Sequence, residues 1–321
     1  MAVDRAAWIR EIAHAPEALR PLARDRAREL LDAILEGEVS GVESGAVLAA
    51  IRARGESLDE TLGFVDALVP RVAQLALPHE RSRPVVLPSY DGARRDANLT
   101  PLLALLLARY GVPVLVHGID VAGGEAPGDA PGSRVGSAEI LERLGVYPSR
   151  TAADAQARLE RGSVAFLPTS VLAPSLAGLL AGTSLPGALA FGRSLAKLVA
   201  PFGGAGVRVV SVSRPDQLPR MRDLLASMRA DALLLSGAEG EPFANPRRCP
   251  RIEQFRDGNV VRAVEADEEA AGYPAGLPSA ADAEATAEWT AGALAGSRAV
   301  PEPILVEIGM LLEATREKQE K

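Results

Sequence analysis

The chain has 321 residues, about the length of two domains, and its 47% apolar and 24% charged residues exclude wholesale disorder. A single cysteine excludes an internal disulfide and cysteine-rich metal sites, and the lack of any run of ~18 apolar residues excludes a membrane-spanning helix. The net charge of −7 argues at first against a nucleic-acid partner. The charged amino-terminal segment excludes a secretory signal, so we expect a cytoplasmic protein.

Residues 1–80 predict a small helical domain. Apolar residues recur at helical spacing between Leu22 and Leu35. Ser40-Gly-Val-Glu43 and Ser57-Leu-Asp-Glu60 are capping-box patterns, each placed directly before an apolar run with helical periodicity. Gly55 fits the end of the helix that starts after Ser40.

Residues 81–321 predict a larger α/β domain, because short apolar runs alternate with helical patterns. The continuous apolar runs suit parallel strands that are covered on both faces. Strands are expected at 84–88, 112–116, 164–167, 207–212 and 232–235, helices at 99–110, 137–144, 152–161, 174–199, 217–228, 282–295 and 303–317, and a hairpin at 251–264 around Asp257-Gly258.

Several stretches resemble the anthranilate phosphoribosyltransferase family, also called glycosyl transferase family 3. They are 45–57, 98–101, 116–118, 132–146 and 158–168, and two further stretches, 87–118 and 237–248, resemble the divergent YbiB-type branch of that family. The resemblance implies a nucleoside phosphorylase/phosphoribosyltransferase-like fold with a mainly parallel central sheet. Residues 1–80, joined by part of 168–200, would form a helical dimerisation domain, and 81–321 an α/β domain with the ligand cleft at the domain interface.

The resemblance also sets out two activities to choose between. True members of the family bind phosphoribosyl pyrophosphate, magnesium and anthranilate in the cleft. Members of the YbiB branch bind nucleic acid without clear sequence preference. The residues that survive at the cleft positions therefore decide which activity this chain is expected to have.

The family's pyrophosphate-binding turn, Gly-Thr-Gly-Gly-Asp, corresponds here to Ser89-Tyr-Asp-Gly-Ala93. Gly92 remains, but the bulk of Tyr90 would crowd a diphosphate. The segment is either a plain strand-to-helix turn or a reshaped ligand-binding turn. At the end of the next strand, His117 and Gly118 persist where the family has Lys-His-Gly-Asn-Arg, and His117 is either a cleft residue or a structural one.

The remaining cleft positions are polar. Asn98 and Thr100 stand at a helix start, where they either help to bind a phosphate or simply cap the helix. The predicted phosphate or ligand cleft is completed by Ser89, Asp91 and Ser137. Glu239 and Glu241 correspond to the family's magnesium-binding acids, so they hold a metal only if the chain is an enzyme, and otherwise they cap loops or face solvent. We expect no cofactor and no catalytic residue.

The charge distribution leaves room for a basic surface. Residues 263–321 hold 12 acidic and 4 basic residues, a sum of −8, so the rest of the chain has a sum of +1. By the family arrangement, basic residues should line the cleft and follow a phosphate backbone: Arg94, Arg95, Arg193, Lys197, Arg247, Arg248 and Arg251. Tyr90 is the first candidate for stacking on a base, and Phe243 is the next.

Three hypotheses remain open. The first is a non-catalytic homodimer that binds DNA or RNA, preferring single strands, without sequence specificity. The second is an active phosphoribosyl or related glycosyl transferase with an unknown acceptor and a magnesium ion. The third is a scaffold that docks another protein through the acidic residues Glu265, Asp267, Glu268 and Glu269.

Overall fold

A computed structural model describes residues 9, 20–79, 82–119, 134–182, 186–269, 272, 274–278 and 282–316. Their contacts divide them into a helical unit and an α/β unit. The helical unit comprises the described residues up to Ala73 together with Ala173–Val199, and the described residues from Gln74 to Leu172 and from Ala200 onward form the α/β unit. Residues 121–132, which are rich in glycine and proline, lie outside the described residues.

The helical unit begins its helices where the sequence places capping signals. The Ser40 side chain accepts a hydrogen bond from the Glu43 N–H while the Glu43 carboxylate accepts one from the Ser40 N–H, and Ser57 and Glu60 repeat the arrangement. These exchanges satisfy N–H groups that have no partner inside the helix. The helices of this unit are Arg24–Leu35, Gly41–Arg54, Leu58–Leu68, Pro174–Ala181 and Pro186–Ala196, with a 3₁₀ turn at Val69–Arg71.

Two close contacts hold this unit together. A Cβ on Gly63 would lie 2.2 Å from the Arg24 carbonyl oxygen, so only glycine lets Leu58–Leu68 pack this tightly on the first helix. Phe64 meets Phe191 edge to face, with ring centroids 5.0 Å apart. Because Phe191 lies on Pro186–Ala196, that helix shares the core of the amino-terminal helices.

Among the described residues, the α/β unit is built on a sheet of seven strands. In chain order, β1 to β7 are Val85–Ser89, Val114–Gly118, Val164–Pro168, Val207–Val212, Ala232–Ser236, Ile252–Arg256 and Asn259–Val264. In the sheet they lie in the order β3-β2-β1-β4-β5-β6-β7. The strands β1 to β5 are parallel and β6 and β7 are antiparallel, so the predicted mainly parallel sheet is confirmed. Apart from β7 the strands are almost wholly buried, as continuous apolar runs require.

Helices connect the parallel strands and follow the hairpin. The predicted hairpin turn is present, with φ of 49° at Asp257 and 76° at Gly258, the left-handed pair that suits a two-residue turn. No helix among the described residues is long and apolar enough to cross a membrane. The helices of this unit are Thr100–Arg109, Ser137–Arg143, Ala152–Glu160, Thr169–Leu172, Leu218–Ser227, Ala283–Leu294 and Glu302–Ala314, with 3₁₀ turns at Pro215–Gln217 and Ala238–Gly240.

The strand order places a crevice at one edge of the sheet. The chain runs from β1 outward to β2 and β3, and it then returns to the other side of β1 to form β4 and β5. Connections that leave neighbouring strands in opposite directions open a crevice at the carboxyl ends of those strands. The segments that follow β1, β2 and β5 all reach this edge.

Candidate functional site

A buried carboxylate lies under the turn that follows β1. Glu241, in the loop after β5, is fully buried. Its Oε1 accepts hydrogen bonds from the backbone N–H groups of Asp91 and Gly92, both at 2.8 Å. The turn therefore presents its N–H groups to an anion, and that anion is a side chain of the same protein.

The second oxygen of Glu241 is surrounded by side-chain donors. Ser89 donates a short hydrogen bond to Oε2, Thr100 Oγ1 donates at 3.3 Å and Asn98 Nδ2 at 3.4 Å. The Ser137 and Ser89 hydroxyls lie 2.7 Å apart, which connects Ser137 to the same cluster. The structure thus brings the predicted cleft residues Ser89, Asp91, Gly92, Asn98, Thr100 and Ser137 together around one carboxylate.

A second carboxylate occupies the next backbone donors of the same segment. Glu239 accepts hydrogen bonds from the N–H groups of Arg94, Arg95 and Asp96 over 3.0–3.3 Å. Its backbone adopts φ of 52°, a left-handed conformation that aims the side chain at this segment. A Cβ on the neighbouring Gly240 would lie 2.4 Å from Asp91 Oδ2, so only glycine allows the loop to come this close.

These contacts do not suit a magnesium site. A metal ion would need the lone pairs that Glu239 and Glu241 direct toward N–H and O–H donors. Within the described part of the chain, no cluster of three or more histidine, cysteine, aspartate or glutamate residues has the arrangement of a metal site. The two glutamates serve as internal anions for the segment 91–96.

A buried polar chain lies beside this cluster, at the carboxyl ends of β1 to β3. Tyr90 Oη lies 2.8 Å from His117 Nδ1 and 3.1 Å from Thr169 Oγ1, and Thr169 donates to the Gly118 carbonyl at 2.7 Å. Since each hydroxyl has one proton, a consistent assignment has His117 Nδ1–H donating to Tyr90 and Tyr90 donating to Thr169. Burial lowers the pKa of His117 to about 3, so its imidazole is neutral.

The burial of Tyr90 and Phe243 does not favour the stacking roles predicted for them. Tyr90 is 4% exposed and its hydroxyl is bonded inside the protein, and burial raises its pKa. Phe243 is 2% exposed and lies in the core. A base cannot stack on a ring that has no free face. Of the residues in this hydrogen-bonded chain, Thr169 was not predicted from the sequence. Its position directly after β3 is the signal that could have identified it.

Two of the predicted arginine segments meet at the surface of the α/β unit. Arg94 and Arg95 are exposed just after the turn, and Arg247 and Arg248 are exposed in the loop after β5. Arg247 pairs with Asp96 at 2.7 Å, which joins the loop to the segment 94–96. We call Arg94, Arg95, Arg247 and Arg248 the basic patch.

Acidic residues engage the end of the arginine loop. Arg251 pairs with Glu253 at 2.7 Å and with Glu265, and Arg248 donates to the backbone carbonyls of Asp267 and Glu268. Much of the charge of Arg251 is therefore balanced internally, so it does not belong to the basic patch. The acidic segment reaches the arginine loop because the strand β7 returns the chain to it.

The remaining predicted basic residues belong to the helical unit. Arg193 lies on the helix Pro186–Ala196 and Lys197 follows it directly. Lys197 is only 5% exposed. The burial of this side chain does not favour the nucleic-acid-binding role predicted for it.

Comparisons with known proteins agree with the fold. Residues 9–71 match the family described as glycosyl transferase family, helical bundle domain. The chain is 39% identical over 265 residues to the uncharacterised protein YbiB of Escherichia coli K12, covering 82% of this chain and 80% of that one. It is 28% identical over 249 residues to the anthranilate phosphoribosyltransferase of Deinococcus radiodurans, covering 77% and 70%.

Solved structures show the same architecture. The anthranilate phosphoribosyltransferase from Thermus thermophilus superimposes with a TM-score of 0.70 at 25% identity, over 96% of this chain and 89% of that one. The enzyme from Saccharomyces cerevisiae, in complex with phosphoribosyl pyrophosphate and magnesium, gives 0.62 at 13% identity over 96% and 86%, a likeness of fold alone.

Proposed function

Because this chain belongs to the anthranilate phosphoribosyltransferase-like proteins of glycosyl transferase family 3, in the branch of YbiB, we propose that it is a non-catalytic homodimer that binds single-stranded nucleic acid without sequence specificity. The observation that carries the first half of this proposal is the position of Glu241. Its carboxylate accepts the Asp91 and Gly92 N–H groups that a diphosphate would need. A phosphoribosyl pyrophosphate molecule would have to displace a buried side chain from its hydrogen-bonding partners.

The basic patch supports the second half. It places four guanidinium groups on two segments joined by the Arg247–Asp96 pair. Arginine binds phosphate oxygens through a planar fork of N–H donors, whatever base the phosphate belongs to. With Tyr90 and Phe243 buried, stacking platforms are absent from the two positions where we expected them. Affinity dominated by phosphate contacts and weak base preference follow.

The decisive experiment is fluorescence anisotropy of a labelled single-stranded oligonucleotide at about 50 and 200 mM salt. Affinity should fall steeply as the salt concentration rises. The triple variant Arg94→Ala, Arg95→Ala and Arg247→Ala should bind more weakly. Its plot of log affinity against log salt concentration should become shallower by about one unit for each phosphate group that is no longer bound. Arg161→Ala is the control, because this exposed arginine precedes β3 at the opposite edge of the sheet. Equal binding by the triple variant would exclude the basic patch as the interface.

The non-catalytic half is tested separately. With phosphoribosyl pyrophosphate and Mg²⁺ present, no pyrophosphate should be released with any acceptor offered. Release of pyrophosphate with any acceptor would favour the transferase. Sedimentation equilibrium of the full chain tests the dimer, and a single monomer mass at micromolar protein would refute it.

A further inference from the structure

A second concentration of arginines lies at the amino edge of the sheet, opposite the crevice. The pocket there has a volume of about 480 Å³. Arg83 precedes β1, Asp231 precedes β5, and Arg256 and Asp257 stand at the β6–β7 turn, while Arg229 and Arg316 come from helix ends. These side chains contribute four positive and two negative charges to one concavity.

The two carboxylates are already committed to partners. Asp231 pairs with Arg83 at 2.5 Å, and its other oxygen accepts the Asp257 N–H at 2.6 Å. Both oxygens of Asp231 therefore have partners, and its negative charge is balanced by Arg83.

The second carboxylate of the pocket is paired as well. Asp257 holds Arg229 through a two-pronged pair at 2.8 and 2.7 Å. Within the part of the chain that the structure describes, Arg256 and Arg316 form no ion pair. Among the described residues, two guanidinium groups thus line the pocket without a carboxylate partner, and two others are paired.

We propose that this pocket binds a phosphate-bearing small molecule. Its volume lies in the range of small-molecule sites, roughly 300–1,000 Å³. Paired and unpaired arginine forks match the oxygens of a phosphate group, which carries enough charge to balance the surplus. Leu77 gives the same pocket an apolar side chain, 46% exposed, against which the rest of the ligand can pack. The proposal does not rest on nucleic-acid binding, because the basic patch lies at the carboxyl edge.

The test is calorimetric titration of the full chain with adenosine monophosphate, with inorganic phosphate and with adenosine as probes. Both phosphate probes should bind saturably at low salt and adenosine should bind far more weakly. Arg256→Gln with Arg316→Gln should weaken binding tenfold or more, because each charge-assisted hydrogen bond accounts for about that factor. Arg94→Gln with Arg95→Gln should leave it unchanged, and unaltered thermal unfolding confirms that the pocket variant is folded.

Three outcomes would overturn the proposal. The first is that neither phosphate probe binds the unaltered protein at millimolar concentration. The second is that the basic-patch variant loses as much affinity as the pocket variant. The third is that adenosine monophosphate does not bind at all, while Arg256→Gln with Arg316→Gln reduces binding of the single-stranded oligonucleotide. The pocket would then be part of a nucleic-acid surface and not a small-molecule site.

Discussion

Replacing Glu241 with alanine removes the anion from the turn after β1. The Asp91 and Gly92 N–H groups, the Ser89 and Thr100 hydroxyls and the Asn98 amide then lose a common acceptor. Hydroxyl groups can rotate toward other acceptors, but the two backbone N–H groups are held in place by the turn. The substitution therefore leaves at least two donors without a partner in a buried place.

The expected loss of stability follows from these donors. A buried donor that loses its partner costs about 1–3 kcal/mol, so two of them cost roughly 2–6 kcal/mol. Part of this cost is offset because the variant no longer buries a carboxylate, which leaves about 2–5 kcal/mol. Glu239→Ala should cost less, about 1 kcal/mol, because its donors belong to the exposed residues Arg94 and Arg95, and water can replace the carboxylate there.

The assay is urea unfolding followed by circular dichroism, with pyrophosphate as a second variable. Pyrophosphate should raise the melting temperature of Glu241→Ala by more than it raises that of the unaltered protein, because the emptied turn can accept an additional anion. A destabilisation below about 0.5 kcal/mol would refute the assignment of these donors to Glu241. If pyrophosphate raises the melting temperature of the unaltered protein as much as that of Glu241→Ala, the turn accepts an anion even with Glu241 present.

Three further predictions concern buried groups. Burial raises the pKa of Glu307 from 4.5 to about 8. Between these pH values the folded state keeps a proton that the unfolded state has lost. The free energy of unfolding should therefore fall by a few kcal/mol as pH rises from 4.5 to about 8. Glu307→Gln should abolish this decline in urea unfolding at different pH. Tyr90→Phe leaves His117 without its partner and should cost about 1–3 kcal/mol, yet oligonucleotide anisotropy should not change because Tyr90 is buried. A Cβ at Gly118 would lie 2.0 Å from the Ser89 carbonyl oxygen, so Gly118→Ala should lower the melting temperature, whereas Gly309→Ala, with open space, should not.

The elements of this fold were largely predictable because their signals are local. A capping box is a contact between residues three apart, so Ser40 with Glu43 and Ser57 with Glu60 could be read directly. The hairpin turn at Asp257-Gly258 is equally local. The strand β4 was predicted at its observed bounds, because a continuous apolar run is typical of a parallel strand that is buried on both faces.

The composition of the site was also predictable, but its chemistry was not. Ser89, Asn98, Thr100 and Ser137 were named as cleft residues by their resemblance to a family, and they do lie together. What they surround is Glu241, about 150 residues away in sequence from the turn. No local pattern shows whether such a carboxylate faces a metal, the solvent or a set of N–H groups.

The sequence by itself determined the fold class, the capping of the amino-terminal helices and the family, because each depends on neighbours along the chain or on motifs read in order. Only the tertiary structure decided where the charges stand. It buried Tyr90 and Lys197, placed Glu241 in the phosphate turn, and collected arginines from distant strand and helix ends into one pocket. Burial and pairing depend on contacts between segments far apart in sequence, which no pattern along the chain displays.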